Sequence, residues 1–135
     1  ESARSLVVDG TIGDATVRSF MNWDAIQNTS RTKAIMEHWQ KLGQFRANHP
    51  SIGAGVHQIL SESPYLFYRS FSKGNYKDLV VVGLDLPIGE KVLDVSKVFE
   101  NADTLRDAYS GILNKVVDGK ITIDSKFNIL LLEKI

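Results

Sequence analysis

The feature that most constrains the fold is the change of hydrophobic period at Pro50. Downstream of it, short apolar runs rich in β-branched and aromatic residues recur at intervals of about ten residues, with turn-forming residues between them. The runs are GVHQIL, YLFYRSF, DLVVVGLDL, KVLDV, LRDAY, NKVV, KITID and NILLLEK. Asp118-Gly119 is the strongest hairpin signal. The sequence therefore predicts a mainly-β fold, an antiparallel Greek-key-type β-sandwich of about eight strands.

One amphipathic helix is predicted before this sandwich. Thr29 and Ser30 are N-cap candidates, and the helix should stop before Pro50, since a residue preceding proline avoids helical geometry. At about 100° per residue, one side of the helix collects four apolar residues: Ile35, Trp39, Leu42 and Phe45. Arg46 falls inside that apolar arc, so its guanidinium must be paired or must extend to solvent. The apolar side needs a cover, either the sandwich or a neighbour outside this chain.

Charge and composition exclude several classes of partner. Lysine plus arginine and aspartate plus glutamate are equal at 16 each, and no basic run is present. Nucleic acid and membrane surfaces are therefore not expected partners. The chain has no cysteine, which excludes disulfides and thiolate chemistry. No signal peptide is expected at the start, and a cytoplasmic and an extracytoplasmic location are both compatible with the sequence.

The histidines and glycines form no recognisable site. His38, His49 and His57 lack the spacing of a zinc motif, and His49 is expected to help finish the helix. No GxSxG elbow is present. Gly53-Ala54-Gly55 follows a helix and precedes a strand, the reverse of a phosphate-binding loop, so a connector is predicted.

The carboxylates and aromatic residues are also dispersed. Asp24, Asp85, Asp94 and Asp107 are too scattered to indicate a catalytic pair. Exposed rings could stack on sugars, and the candidates are Tyr65, Phe67, Tyr68, Tyr76 and Tyr109. The pattern of residues 65 to 70 instead favours a strand that is apolar on both faces. The residues by themselves therefore predict a sandwich without a site.

The pieces, taken in order, resemble a known family. Residues 17–24, VRSFMNWD, are predicted to form a loop. They resemble the Arg-x-Pro-Met-x-Trp-Asp segment that follows the eighth barrel strand in the alpha-amylase superfamily (glycoside hydrolase family thirteen). Ser19 and Phe20 replace the usual Thr and Pro. HWQKLGQFRANHPSIGAG is similar to the last barrel helix of that family. Residues 107–111 and 118–120 resemble its Asp-x-x-Thr/Ser-Gly and Asp-Gly motifs.

This resemblance implies that residues 1–52 are the end of a (β/α)8 barrel, and that residues 53–135 are the C-terminal sandwich. Members of the family are retaining hydrolases or transglycosylases of α-glucosidic bonds, with an Asp nucleophile, a Glu acid/base and a second Asp. All three, and the family's calcium site, would lie upstream of Glu1, so the resemblance implies no catalytic or metal-binding residue in this chain. The implied partners are the missing barrel and the α-glucan substrate of the parent.

The resemblance also assigns expected roles to a few residues. Arg18 and Trp23 are candidates for the rim of the substrate cleft, or for a structural latch. Trp39, Arg46 and Pro50 are expected to be structural. The chain alone is expected to be inactive and to stabilise the barrel of an enzyme acting on starch, glycogen or maltodextrin. The alternatives are a free-standing carbohydrate-binding or interaction module, and an amylase-like scaffold that has lost catalysis.

Overall fold

The structure, a computed structural model, describes residues 23–135, except for the side chain of Ala25. Three helices precede eight strands in this part of the chain. The elements are α1 (Trp23–Asn28), α2 (Ser30–Asn48), α3 (Pro50–Ala54), β1 (Val56–Glu62), β2 (Tyr65–Lys73), β3 (Tyr76–Leu84), β4 (Gly89–Asp94), β5 (Thr104–Asp107), β6 (Leu113–Lys115), β7 (Lys120–Ser125) and β8 (Leu130–Lys134). None of the described helices is long and apolar enough to cross a bilayer.

The long helix α2 ends where the sequence predicts. It starts at Ser30 and stops at Asn48, and the backbone N–H of His49 closes its last turn on the carbonyl of Phe45 at 3.1 Å. The chain divides into two compact units after Gln40, within α2. The predicted domain boundary at residue 52 refers to a longer parent protein and stays a prediction.

Two local predictions were wrong. Trp23 and Asp24, the end of the segment assigned to a loop, open the short helix α1, and Asp24 in its first turn is a favourable place for a negative charge. Gly53 and Ala54, assigned to a connector, lie in α3, because Pro50 is compatible with the first turn of a helix and starts a new one. The remainder of the 17–24 segment, including Arg18, lies outside the described residues.

The strands form two antiparallel sheets that pack as a sandwich. The larger sheet has the order β1-β2-β3-β8-β5-β6, and β4 pairs with β7 in the smaller one. Each predicted run overlaps one of these strands. The last strand, β8, returns to lie beside β3, so distant parts of the sequence are joined at the centre of the large sheet. The predicted mainly-β antiparallel sandwich is confirmed.

The large sheet is apolar on both faces. One face packs on the small sheet and forms the inter-sheet core, which includes Val81 and Leu132 with Ile121 and Ile123. The other face lies under the end of α2, where Phe45 packs in the second core. The members of the second core are Phe45, Val80, Val82, Tyr109 and Leu131. Because adjacent residues of β3 point to opposite faces, the same strand supplies both cores.

The Asp118-Gly119 turn forms as predicted but does not join two paired strands. Both residues have positive φ, 50° and 73°, as a type I′ turn requires. Val117 and Lys120 exchange two backbone hydrogen bonds of 2.9 Å across it. Beyond that bridge β6 pairs with β5 and β7 pairs with β4. The turn therefore carries the chain from the large sheet to the small one.

Gly55, which follows α3, is expected to be essential for packing of the chain. A Cβ at this position would lie 2.5 Å from the carbonyl oxygen of Ser51 and 2.6 Å from that of Ser70. Both are backbone atoms that cannot rotate away, so Gly55→Ala should lower the free energy of unfolding by about 1–3 kcal/mol in urea titrations. The matched control is Gly43→Ala in α2, where nothing lies within 4 Å. That change should stabilise the helix by about 0.5–1 kcal/mol, and equal losses in both variants would contradict the prediction.

Candidate functional site

The most concentrated group of ionisable side chains in the described part of the chain surrounds His49, between α2 and α3. The ring is buried, and its Nδ1 lies 2.8 Å from Asp78 Oδ1 on β3, whereas its Nε2 lies 2.7 Å from Glu133 Oε2 on β8. Ionised carboxylates only accept hydrogen bonds, and each ring nitrogen faces one carboxylate oxygen. The arrangement suits a positively charged imidazolium held between two carboxylates.

A fourth side chain completes this cluster. Arg106 on β5 donates to Glu133 Oε1 from Nε at 2.7 Å and from Nη2 at 2.6 Å. Four residues, His49, Asp78, Glu133 and Arg106, are called the His49 junction below. It connects the chain between α2 and α3 to three neighbouring strands of the large sheet, β3, β8 and β5. Breaking a buried pair of this kind leaves an uncompensated charge, so its members are expected to act as a unit.

Asp78 also fixes the start of α3. Its Oδ2 accepts a hydrogen bond of 2.9 Å from the backbone N–H of Ser51. Burial by itself would raise the pKa of the Asp78 carboxyl, but hydrogen bonds from His49 and Ser51 lower this pKa below the ordinary aspartate value. From β2, the guanidinium of Arg69 donates to the carbonyls of Ser51, at 2.8 Å, and Gly55, at 2.6 Å. The short helix is thus held at both ends by charged side chains.

A second buried carboxylate, Asp107, organises the turn after β5. It is fully buried and accepts hydrogen bonds from the backbone N–H groups of Tyr109, Ser110 and Leu131 and from the Ser110 hydroxyl. Burial, with a contribution from the nearby Asp107 charge, raises the pKa of the Tyr109 hydroxyl. The ammonium of Lys41 on α2 donates to the Tyr109 carbonyl at 2.8 Å and lies over its ring. Asp107 therefore shapes the surface on which the end of α2 packs.

The buried side chain of Lys91 has a comparable structural role in the small sheet. Its ammonium donates to the carbonyls of Gly89 and Ser125, both at 2.7 Å, and to the Ser125 hydroxyl at 3.2 Å. These contacts join the start of β4 to the end of β7. Its donors are satisfied within the fold.

None of these arrangements has the form of a hydrolytic site. Retaining glycosidases need two carboxyls about 5–5.5 Å apart across the scissile bond, and one must be free to attack. In the described residues Asp78 and Glu133 are bound to His49, Asp107 is saturated by N–H donors, and Asp94 accepts from Ser96. Within residues 23–135, no group of three or more His, Asp or Glu side chains converges on a metal position. The hydrogen bonds and ion pairs of these side chains stabilise the fold.

The structure separates the remaining candidate residues. Trp23 on α1 and Trp39 on α2 are 65% and 66% exposed. Arg46 is exposed. Pro50 opens α3. The assigned roles of Arg18, Trp23, Trp39, Arg46 and Pro50 stay predictions.

The aromatic candidates are divided between cores and surface. Tyr109 is buried, Tyr68 packs against the inter-sheet core, and Tyr76 is exposed at the β2–β3 hairpin. Tyr65 and Phe67 form a partly exposed ring cluster with His57: the Phe67 centroid lies 4.5 Å from that of His57 and 5.5 Å from that of Tyr65. These partly exposed rings are the part of the surface on which a sugar could stack.

A cavity of about 330 Å³ opens beside the His49 junction. Its polar lining mixes both charges, with Lys77 and Lys134 opposite Glu100 and Asp103. Lys134 and Asp103 are already paired at 2.6 Å. The volume is at the lower limit for small-molecule pockets, which are usually mostly apolar with few polar groups. The cavity does not by itself indicate a ligand.

No protein-family model matches the chain. Over 82 residues it is 40% identical to the periplasmic alpha-amylase of Escherichia coli (strain K12), a segment that covers 60% of this chain and 12% of that protein. Among solved structures, an Anoxybacillus alpha-amylase, described as a new glycosyl hydrolase subclass, matches with a TM-score of 0.51 and 26% identity. The chain is similar to the C-terminal part of alpha-amylases. The predicted resemblance is confirmed.

The lengths of these alpha-amylases limit what the similarity implies. The structural match covers 69% of this chain and 21% of the Anoxybacillus protein. In both relatives the matching region therefore belongs to a much longer chain. The amylase activity of these relatives is a property of the whole proteins.

Proposed function

We propose that this chain is the last barrel helix and C-terminal sandwich of a retaining α-glucan hydrolase, and that it stabilises the catalytic barrel without taking part in catalysis. The observation that carries the proposal is the 40% identity to one short segment, 12% in length, of a periplasmic alpha-amylase. The parent would act on starch, glycogen or maltodextrin. Its nucleophile, acid/base and any calcium ion would be supplied by the barrel.

The hydrogen bonding of the described carboxylates supports the non-catalytic role. Glu133 and Asp107 are buried, Asp78 is half-buried, and each accepts hydrogen bonds from more than one donor. A nucleophile must be accessible to the sugar, and an acid/base must reach the leaving oxygen. These three carboxylates meet neither requirement.

The exposed apolar residues of α1 and α2 support a partner in the missing part of the parent. Trp23, Ile35 and Trp39 are 65%, 41% and 66% exposed. Burying a large apolar side chain contributes about 1.5–3 kcal/mol. In the proposed parent, barrel elements preceding this chain would cover these residues.

A chimera tests the stabilising role. The matching C-terminal segment of the E. coli periplasmic alpha-amylase is replaced by this chain, and a truncated form of the same enzyme lacks the segment altogether. We expect the chimera to hydrolyse soluble starch and to keep its activity to a higher temperature than the truncated enzyme, because the sandwich covers apolar barrel surface. A chimera no more heat-resistant than the truncated enzyme would exclude this role. Hydrolysis of a maltooligosaccharide by the isolated chain would refute the non-catalytic assignment.

A free-standing carbohydrate-binding module is the second candidate, and the His57, Tyr65 and Phe67 ring cluster favours it. Rings exposed on a sheet can stack on pyranose faces. On this hypothesis, migration of the chain in an amylopectin affinity gel would be retarded, and Tyr65→Ala would relieve the retardation. Tyr76→Ala at the distant hairpin is the matched control. Unretarded migration would leave the hydrolase fragment as the sole candidate of the two.

A further inference from the structure

We propose that the His49 junction is an acid-sensitive latch, which releases the end of α2 and α3 from the large sheet at a pH where the inter-sheet core is still folded. The proposal rests on the geometry of the junction and on the separation of the two cores, and it does not depend on the parent enzyme. The partner in this device is the chain's own helical segment from Lys41 to Ala54.

The geometry concentrates charge in a small buried volume. The side chains of His49 and Glu133 are each 11% exposed, and that of Asp78 is 9% exposed. A proton added to the Asp78 carboxylate converts an attraction between opposite charges into a weaker neutral contact, and a charged His49 ring then lacks part of its compensation.

The surrounding charges do not replace the two carboxylates. On β5, Arg106 binds the same carboxylate as His49, so it competes for Glu133. On β2, Arg69 is bound to backbone carbonyls, and on α2, Arg46 is exposed. The other charges around the adjacent cavity are Lys77 on β3, Lys134 on β8, and Glu100 and Asp103 in the β4–β5 loop. Lys134 is paired with Asp103, so the imidazolium depends on Asp78 and Glu133.

The direction of the pH effect follows from Asp78. Its pKa in the closed junction is lowered relative to the ordinary value, so its contribution to stability is fully present above that ordinary value and is lost as the pH falls through the lower, folded-state value. Acid should therefore begin to weaken the junction near about pH 4 and weaken it further below. The same direction holds for any opening that exposes Asp78 to water.

The packing makes a local opening possible. The helical segment covers the second core, in which Phe45 lies over Val80, Val82 and Leu131. The inter-sheet core lies on the opposite face of the large sheet and includes no residue of α2 or α3. Detaching the helical segment therefore leaves the inter-sheet core and the strand ladders in place. Such sub-global openings are a general property of folded proteins.

Native-state amide hydrogen exchange on the 135-residue chain tests the latch. Protection is measured by NMR from about pH 6 to about pH 3 and is corrected for the intrinsic exchange rate at each pH. The reporters are the amides of Ser51 and Gly55 in the helical segment, and those of Val81 and Leu132 in the sheet. We expect the protection of Ser51 and Gly55 to fall several-fold over that range, while the sheet amides change less.

Two variants assign the effect to the junction. The Asp78→Asn variant takes up one proton fewer on opening than the unmodified chain. The protection of its Ser51 amide should therefore be lower at neutral pH and should fall less steeply in acid. Asp94→Asn is the matched control, because hydrogen bonds from Ser96 lower the pKa of Asp94 at a turn outside the junction. This control should leave the response at Ser51 unchanged. Equal effects of the two variants would refute the proposal, as would parallel loss at helical and sheet amides or a flat response at Ser51 in the unmodified chain.

Discussion

Asp107→Ala is expected to lower the free energy of unfolding by about 3–5 kcal/mol, since several buried donors lose their acceptor together. The carboxylate is fully buried and accepts from three backbone N–H groups and the Ser110 hydroxyl. Alanine supplies no acceptor for these donors. Leu131, in the central strand β8, is one of the donors, so the loss extends from the turn into the large sheet.

Urea unfolding followed by circular dichroism measures this effect. Asp107→Asn keeps one acceptor oxygen and nearly the same volume, so it should cost about half as much as alanine. The matched control is Asp94→Ala, which removes an aspartate that also binds a nearby serine, through the Ser96 amide at 3.0 Å, but is exposed. Its effect should be much smaller. If Asp107→Ala were no more harmful than Asp94→Ala, the buried turn would not be a determinant of stability.

His49→Ala is expected to cost about 3–5 kcal/mol at neutral pH, the range found when one partner of a buried ion pair is removed. Without the His49 ring, the buried Glu133 and the half-buried Asp78 have fewer donors, and their charges repel. The ring contact with Phe45, 4.5 Å between centroids, is lost as well. Both the helical segment and the second core should be weakened.

The pH dependence of the His49→Ala cost distinguishes lost charge compensation from lost packing. In the unmodified chain, the stability associated with the lowered pKa of Asp78 is present at neutral pH and is lost in acid. The variant lacks the hydrogen bond from His49 that lowers this pKa. The difference in unfolding free energy between the two proteins should therefore shrink as the pH falls below about 4. A constant difference would indicate that packing alone is responsible.

An exposed histidine provides the control for this comparison. His57 on β1 contacts the Phe67 ring and lies 3.3 Å from the Tyr65 hydroxyl. His57→Ala should lower the free energy of unfolding by about 0.5 kcal/mol, which is typical of a surface substitution. This loss should not change as the pH falls through the range in which Asp78 is protonated. Similar costs for His49→Ala and His57→Ala would contradict the central role of the junction.

Local sequence signals were sufficient to predict the long helix α2 and the eight strands. The limits of α2 follow from Ser30 and Pro50, and the eight strands follow from short apolar runs between turn residues. The Asp118-Gly119 turn follows from its need for positive φ. Each of these signals acts over a few residues, where backbone sterics and capping are strong. The errors at Trp23-Asp24 and at Gly53-Ala54 concern helices of one or two turns, which produce almost no periodic signal.

The His49 junction had no comparable signal. His49 and Glu133 are 84 positions apart in the chain, and His49 and Asp78 are 29 apart. Nothing in the composition around Asp78, Arg106 or Glu133 distinguishes them from surface charges. The junction forms because β8 pairs with both β3 and β5, which places three charged side chains beneath one helix end. The choice of strand partners depends on the packing of the whole sandwich.

The sequence by itself determined the mainly-β class, the single long helix, the sites of the turns and the similarity to the C-terminal part of alpha-amylases. The tertiary structure alone decided which strands pair, that the Asp118-Gly119 turn crosses between sheets, and that a histidine at a helix end is held between two carboxylates. The physical reason is the range of the interactions. Turns, caps and hydrophobic periods are settled within a few residues, whereas the burial and pairing of charges depend on which distant strands the two cores bring together.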